Sequence, residues 1–125
     1  RLTGDEKYGQ LLEQIYNDTN RKYAVFPGVI SGLSGMGEFH LDLYNLTNEA
    51  RYLDAAYRIA SGLLLFKIEK EEGTAFPGDE LRRISCDYAT GSAGIGLFLH
   101  RLATRGEGNF NVDELFSEER LSVTV

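Results

Sequence analysis

Two short segments of this chain, residues 32–39 and 91–98, repeat one pattern of glycine and aromatic residues. The first reads GLSGMGEF, the second reads GSAGIGLF, and the matched positions lie 59 residues apart (32 to 91). The matched pairs are Gly32 and Gly91, Gly35 and Gly94, Gly37 and Gly96, Phe39 and Phe98, and Leu43 and Leu102. Because internal repetition restricts the possible folds more than composition does, we expect two copies of one structural unit.

Two further similarities accompany the glycine motifs. Residues 2–8 (LTGDEKY) match residues 46–52 (LTNEARY) at a separation of 44. The tripeptide FPG occurs at 26–28 and again at 76–78. The elements therefore follow the same order in both copies, although the connecting loops differ in length.

Hydrophobic spacing predicts helices over most of the chain. The predicted helices cover residues 4–18, 35–46, 49–69 and 94–103, with a short one at 113–120. The segment 71–88 is expected to be a loop. No segment alternates convincingly between apolar and polar residues, so we predict an all-α fold class.

The predicted helices are of two kinds. Those at 35–46 and 94–103 begin at glycines and are apolar on almost all sides, whereas 49–69 has a polar face with Asp54 and Arg58. A helix that is apolar on most sides must be buried on most sides. Inner helices paired with amphipathic outer helices are typical of a layered ring or solenoid. We therefore expect a partial α/α toroid made of two helical-hairpin layers.

The glycines of the structural repeat motif are interpreted first as structural residues. Glycine allows the start of an inner helix to pack closely against its neighbours. We also expect it to leave backbone N–H groups exposed at the positive end of the helix dipole. The motif glycines are Gly32, Gly35, Gly37, Gly91, Gly94 and Gly96.

Composition argues against several classes of protein. The 125 residues carry a formal net charge of −6, which speaks against a nucleic-acid partner. No apolar run reaches the ~18 residues that a membrane span requires, so no membrane partner is expected. The single cysteine, Cys86, rules out an internal disulfide and is typical of the reducing cytoplasm. The chain begins at Arg1 without an initiator Met, which suggests a piece of a longer protein.

Segments 32–44, 47–52 and 91–99 together resemble the lanthionine synthetase C-like family. Its members are α/α toroids in which a Gly-x-x-Gly motif begins each inner helix and a turn similar to Thr-Gly-Asp-Glu-Arg-Tyr follows. The resemblance covers about residues 4–104 and implies the last two layers of the toroid. Residues 1–125 are then expected to be a C-terminal fragment of a lanthionine synthetase C-like domain.

The resemblance also implies an activity. Cyclases of this family join a cysteine thiol to a dehydrated Ser or Thr of a precursor peptide, which the complete parent protein would bind. Zinc-dependent members hold their metal with two Cys and one His, but Ile30 and Ser31 stand where a Cys-His pair precedes the penultimate glycine motif. We therefore expect no metal and no other cofactor. Residues 85–94 (SCDYATGSAG) are similar to the last repeat of three-domain (lyase, kinase, cyclase) synthetases, whose cyclase-like domains look zinc-less too.

A cyclase without zinc needs another way to form the thiolate and a proton donor for the developing enolate. The candidates in this chain are Cys86, Asp87 and Tyr88, which precede the last predicted inner helix, and His40. Asp87 can take a proton and Tyr88 can donate one. The catalytic assignment stays open, because each candidate also has a structural interpretation.

In the structural interpretation, Cys86 is a small buried apolar residue. Asp87 and Tyr88 fix the loop and cap backbone groups. His40 and His100 lie inside their helices, where a histidine is most often a packing residue. These alternatives are what the structure must decide.

Three functions remain open at this point. The first is the cyclase-like domain, and the second is a non-catalytic toroid that binds a peptide or a thiol compound such as glutathione. A glycoside-processing toroid ranks last, because it needs paired carboxylates and aromatic platforms and the chain has no Trp. The mixed-charge group of Asp79, Glu80, Arg82 and Arg83 is expected at the mouth of the ring, where it would contact a peptide.

Two layers cannot close a ring, and repeat units generally need about three neighbours for stability. We therefore expect the isolated chain to self-associate through its inner helices or to be poorly ordered. On its own it is expected to be inactive.

Overall fold

A computed structural model describes residues 4–106, and this part of the chain is mostly helical. Its α-helices are α1 (Glu6–Thr19), α2 (Leu33–Thr47), α3 (Ala50–Leu63) and α4 (Ser92–Thr104). A two-stranded antiparallel sheet, β1 (Ile68–Lys70) and β2 (Gly73–Ala75), lies between α3 and α4 in sequence. The predicted helix at 113–120 lies outside the described residues.

Helices α2, α3 and α4 share one apolar core. Helix α3 contributes Ala56, Ile59, Ala60 and Leu63, which follow helical spacing as the sequence predicts. Each large side chain buried there contributes about 1.5–3 kcal/mol to stability. The other buried members of the core are Leu33, Leu41, Phe76, Ile95, Phe98 and Leu102.

The two glycine motifs begin their helices in the same way. The Leu33 N–H donates to the Phe26 carbonyl (3.0 Å), and 59 positions later the Ser92 N–H donates to the Ser85 carbonyl (2.8 Å). In both copies the N-cap glycine lies so close to that carbonyl that a Cβ would overlap it. The repeat is therefore structural as well as sequential. The expectation that the N–H groups at these helix starts stay exposed is wrong for Leu33, Ser34 and Ser92, because carbonyls of the preceding loop accept from them.

The second glycine of each motif also makes an equivalent contact. Gly35 lies against the carbonyl oxygen of Val29, and Gly94 lies against that of Tyr88, which is 59 positions after Val29. In both places a Cβ would overlap the oxygen atom. Because backbone cannot move aside as a flexible side chain does, these positions require glycine.

The third glycines differ between the copies. Gly37 of α2 contacts the ring of Phe98, which is fully buried between α2 and α4. Gly96, the equivalent residue of α4, has no atom within 4 Å of the position that a Cβ would take. The same motif position is thus covered by a helix in the first copy and open in the second.

A buried arginine joins α2 to α4. Arg101 is 7% exposed, and its guanidinium pairs with Glu38 and lies 2.5 Å from Asp42 Oδ1. Its Nε also donates to the Gly106 carbonyl at 3.0 Å. These partners offset the cost of burying a charge. Asp42 and Arg101 occupy equivalent positions of the two copies, so the repeat places an acid opposite a base.

The predicted helix 49–69 ends earlier, at Leu63. A single 3₁₀ turn follows, and β1 then pairs with β2, with Ile68 opposite Ala75. Gly73, which begins β2, has a φ of 136°. Residues with side chains rarely adopt this conformation, so glycine favours a hairpin over a longer helix here. The expectation of a chain without strands, with a plain loop from 71 to 88, is therefore wrong at this hairpin.

Two helices keep apolar surface exposed. Tyr8, Leu11 and Leu12, part of the predicted stripe of α1, are 53%, 48% and 41% exposed, and no residue of α1 is buried. On α4, Leu97 is 55% exposed. The expectation that both glycine-led helices are buried on most sides is wrong for α4, which is covered on one side by α2 and α3.

Candidate functional site

The loop before α4 is organised by one carboxylate. Asp87 Oδ1 accepts from the Thr90 N–H at 2.7 Å, and Oδ2 accepts from the Thr90 hydroxyl at 3.0 Å. The hydroxyl of Ser85 also donates to Oδ2. The Ser85 hydrogen bond and then the Thr90 N–H lower the pKa of Asp87 to about 2, because both favour the charged form. The carboxylate is ionised and its oxygens are engaged.

A polar cavity of about 440 Å³ lies beside this loop. It is lined by Asp79, Glu80, Arg82, Arg83, Ser85, Asp87 and Thr90. Arg82 pairs with Glu80 at 2.8 Å in an exposed ion pair, whereas the Arg83 guanidinium has no ion pair within residues 4–106. Three carboxylates thus line the cavity, but Asp87 and Glu80 already have partners, which leaves Asp79 and the unpaired Arg83 guanidinium as the charged groups most open to a ligand.

The mixed-charge group predicted from the sequence is therefore the wall of a cavity. Chain geometry brings it together: the Gly78 N–H donates to the Arg83 carbonyl at 2.8 Å, and Pro77 and Ile84 form an isolated β-bridge. This narrow turn carries residues 79–83 at its tip. Ser85 and Thr90 also line the cavity, although neither is predicted as a site residue by the sequence analysis. The spacing Ser85-x-Asp87-x-x-Thr90, typical of side chains that bond nearby backbone, is the signal that could have found them.

Cys86 and Tyr88 flank Asp87 in sequence but do not line the cavity. Cys86 is exposed, so its interpretation as a small buried residue is wrong. Its neighbours use their backbone and side chains to form the turn, which leaves the thiol on the surface. Tyr88 is 38% exposed, and its carbonyl lies against Gly94. For Asp87 the structural interpretation, a cap for backbone groups, is confirmed.

His40 lies away from this cavity, in the middle of α2. It is fully buried, and its ring meets the edge of Tyr16 at 5.5 Å between ring centroids. The Thr19 hydroxyl donates to the Ile15 carbonyl (2.6 Å), so it accepts from His40 Nε2 at 3.1 Å, which leaves Nδ1 as an acceptor without a partner in residues 4–106. Burial lowers the pKa of His40. His40 is therefore a packed residue, as its structural interpretation predicts, but it is not a fully satisfied one, because Nδ1 is left without a partner in residues 4–106.

The remaining predicted site features separate in space. His100 is exposed on α4, so its interpretation as a packing residue is wrong. The difference from His40 arises because, within residues 4–106, no helix lies on that side of α4. Ile30, which stands where the resemblance would place one residue of a Cys-His pair, is 73% exposed. Within residues 4–106, no three or more His, Cys, Asp or Glu side chains form a group that could hold a metal ion.

Chemically, the described residues offer a polar binding surface more than an acid–base pair. The candidate base, Asp87, holds its proton poorly, and the candidate His40 is removed from solvent. Of the helices described here, none is both long and apolar enough to cross a membrane. Compared with family models, curated proteins and solved structures, the chain gives no match.

Proposed function

We propose that this chain is part of a lanthionine synthetase C-like toroid, in which the polar cavity before α4 binds a precursor peptide. The observation that carries the proposal is the equivalence of the two glycine motifs. Each begins a helix against a loop carbonyl six residues back from its N-cap glycine, and the two helices pack side by side. That is the arrangement which the resemblance implies for neighbouring inner helices.

The reaction in this proposal adds a peptide cysteine to a dehydrated Ser or Thr. The sulfur bonds to the β-carbon, the double bond is consumed, and a proton is delivered to the α-carbon, so no oxidant is needed. Asp87 does not serve as the base here, because its low pKa makes it a poor proton acceptor. Tyr88 and Cys86 remain candidates because both are exposed next to the cavity. His40 does not, because it is buried.

A second candidate is a toroid that holds the peptide or another thiol compound without catalysis. The low pKa of Asp87 and the burial of His40 favour this candidate, because neither side chain is then suited to proton transfer. The role left for the described residues is to bind and orient a peptide. Charged and hydroxyl groups in the cavity suit the polar backbone and side chains of an extended peptide, and Arg83 suits a carboxylate. The single cysteine supports a cytoplasmic location for either candidate.

The test uses the full chain with Cys86 in place and follows the peptide thiol by mass spectrometry, which distinguishes it from the thiol of the protein. A fluorescent peptide containing dehydroalanine and cysteine is titrated for binding, and its free thiol is followed over time. We expect binding that weakens about tenfold in Arg83→Gln and is unchanged in Arg58→Gln, an exposed arginine on α3.

The outcomes separate the two candidates. Binding with thiol loss supports the cyclase. Because the isolated chain is expected to be inactive, the non-catalytic module is supported only when the complete parent protein also binds the peptide without thiol loss. Absence of binding, or equal weakening in both arginine variants, would overturn the assignment of the cavity to a peptide.

A further inference from the structure

The contact between the two copies of the repeat is directional. The second copy inserts Phe98 of α4 against Gly37 of α2. Next to it, the N–H groups of Val29 and Ile30 both donate to the Ala89 carbonyl, at 2.9 and 3.0 Å. One copy thus contributes a bare glycine and two N–H donors, while the other contributes an aromatic ring and a carbonyl.

The receiving half of this contact exists a second time, on α4, where no other part of residues 4–106 covers it. We use the name open α4 face for Gly96, Leu97 and His100. All three are exposed, whereas Gly37 and Leu41, which correspond to Gly96 and His100, are buried. A Cβ at Gly96 would meet no atom within 4 Å.

The donors are repeated as well. Tyr88 and Ala89 stand 59 positions after Val29 and Ile30. Within residues 4–106, neither the Tyr88 N–H nor the Ala89 N–H has a hydrogen bond. Tyr88 is exposed and Ala89 is half-buried, so water can satisfy both donors in the isolated chain, and both stay available to a carbonyl of another molecule.

The inserting half is also repeated, in the first copy. Phe39 corresponds to Phe98 but is only partly buried, and Ile30, whose carbonyl corresponds to that of Ala89, is 73% exposed. Asp42 corresponds to Arg101. If the first repeat of another molecule docked on the open α4 face, its Asp42 would lie near Arg101 of the receiving molecule. Because that arginine is buried and already paired with Glu38 and Asp42 of its own chain, no new ion pair is expected there.

Helix α1 supplies the last matching surface. Tyr8, Leu11 and Leu12 correspond, at a separation of 44, to Tyr52, Ala55 and Ala56 of α3. The α3 residues are at most 5% exposed because α3 packs on α2, whereas their α1 counterparts are at least 41% exposed. If the repeat continued, α1 would lie over an inner helix placed before α2.

We propose that two molecules of this chain dock head to tail. Phe39 of the docking molecule lies against Gly96 of the receiving molecule. In that arrangement α1 of the docking molecule lies over α4 of the receiving molecule, as α3 lies over α2 within one chain. The open α4 face and the exposed apolar residues of α1 become covered in a single contact. The N–H groups of Tyr88 and Ala89 then donate to the Ile30 carbonyl of the docking molecule. Such a heterologous contact can repeat, so that rings or short arrays form.

The first experiment measures association of the full chain by sedimentation equilibrium. We expect association that Gly96→Leu weakens by about tenfold or more, because leucine fills the space for Phe39. Ser61→Leu, which adds the same bulk at an exposed position of α3, should leave it unchanged. Thermal melting of each variant verifies folding, and leucine at Gly96 should not lower the melting temperature of the isolated chain. Wild-type protein that stays monomeric at submillimolar concentration, or equal association of both variants, would overturn the proposal.

The second experiment establishes direction with a short thiol cross-linker in the Cys86→Ser background. Asp42→Cys and Leu97→Cys place single thiols on the inserting and receiving surfaces, which are 58% and 55% exposed. Head-to-tail docking predicts cross-linking when the two variants are mixed and little when either is alone. Strong cross-linking of Leu97→Cys with itself would instead indicate a symmetric α4-to-α4 dimer and would refute the proposal.

Discussion

The ring of Phe98 fills the space in which a side chain at Gly37 would begin. The two residues are 61 positions apart and belong to different copies of the repeat, so their contact ties α4 to α2. Because Phe98 is fully buried, its ring has little room to move away. The relationship explains why a glycine is needed at this position of the first copy and not at the same position of the second.

The two equivalent glycines are therefore expected to respond in opposite ways to alanine. Gly37→Ala should destabilise the fold by about 1–3 kcal/mol, since the new methyl group overlaps the Phe98 ring. Gly96→Ala should stabilise the chain by about 0.5–1 kcal/mol, because it restricts the unfolded chain and meets no atom. Urea denaturation of both variants measures the difference. Equal effects would show that Phe98 does not occupy the Gly37 contact.

The buried Arg101 is expected to matter more than an exposed arginine in an ion pair. Arg101→Met should cost about 2–3 kcal/mol, because Glu38 is left partly buried without its partner. Arg82→Met removes an ion pair whose arginine is 80% exposed and should cost less than about 0.5 kcal/mol. The free energy of unfolding of the two variants tests this. A similar, small cost for both would contradict the description of Arg101 as a link between α2 and α4.

The acid sensitivity of the fold is expected to depend on His40. Burial lowers its pKa in the folded state, so near pH 6 the unfolded chain binds more protons than the native one. Stability should therefore fall as the pH drops from 7.5 to 5.5, by at most about 1.4 kcal/mol per pH unit. His40→Leu, which copies Leu99 of the other repeat, should flatten this dependence, whereas His100→Leu should not. Identical pH profiles for all three proteins would exclude a buried neutral His40.

Asp87 is expected to stabilise the loop only while it is ionised. Its folded pKa, about 2, lies below the ordinary pKa of an aspartate, 3.8, so its contribution is complete above about pH 4 and is lost as the pH falls toward 2. Asp87→Asn should lower the melting temperature at pH 6, and the difference from wild type should shrink toward pH 2. Asp54→Asn, at an exposed position of α3, provides the control. A constant difference across this range would argue against the ionised cap.

Much of the helical architecture could be predicted because glycine and apolar spacing are local signals. The offset of 59 correctly identified equivalent positions, and the contacts of Gly35 and Gly94 are equivalent too. The hairpin after α3 was missed, since the charged run before Gly73 suits a helix end as well as a turn. Only the positive φ of Gly73 decides between them, and a sequence does not display φ.

The candidate site was predicted in part, for a related reason. Charged residues at 79–83 could be expected on the surface, but the cavity depends on a turn closed by backbone pairing between Pro77 and Ile84. The exposure of Cys86 likewise follows from that turn rather than from its residue type. Periodicity alone also could not show that, of the two similar helices, only α4 has one side that the rest of residues 4–106 leaves exposed.

Helices α2 and α4 are equivalent helices of the two repeat copies, and they meet where Phe98 contacts Gly37. The most direct measurement is an isotope-edited nuclear Overhauser spectrum of the Gly96→Leu variant, recorded at a concentration where this variant is monomeric. We predict strong cross-peaks between the Phe98 ring protons and the Gly37 α-protons in that variant. Their absence, with Phe98 ring contacts to other elements only, would contradict the arrangement of the repeat and the inferences that rest on it.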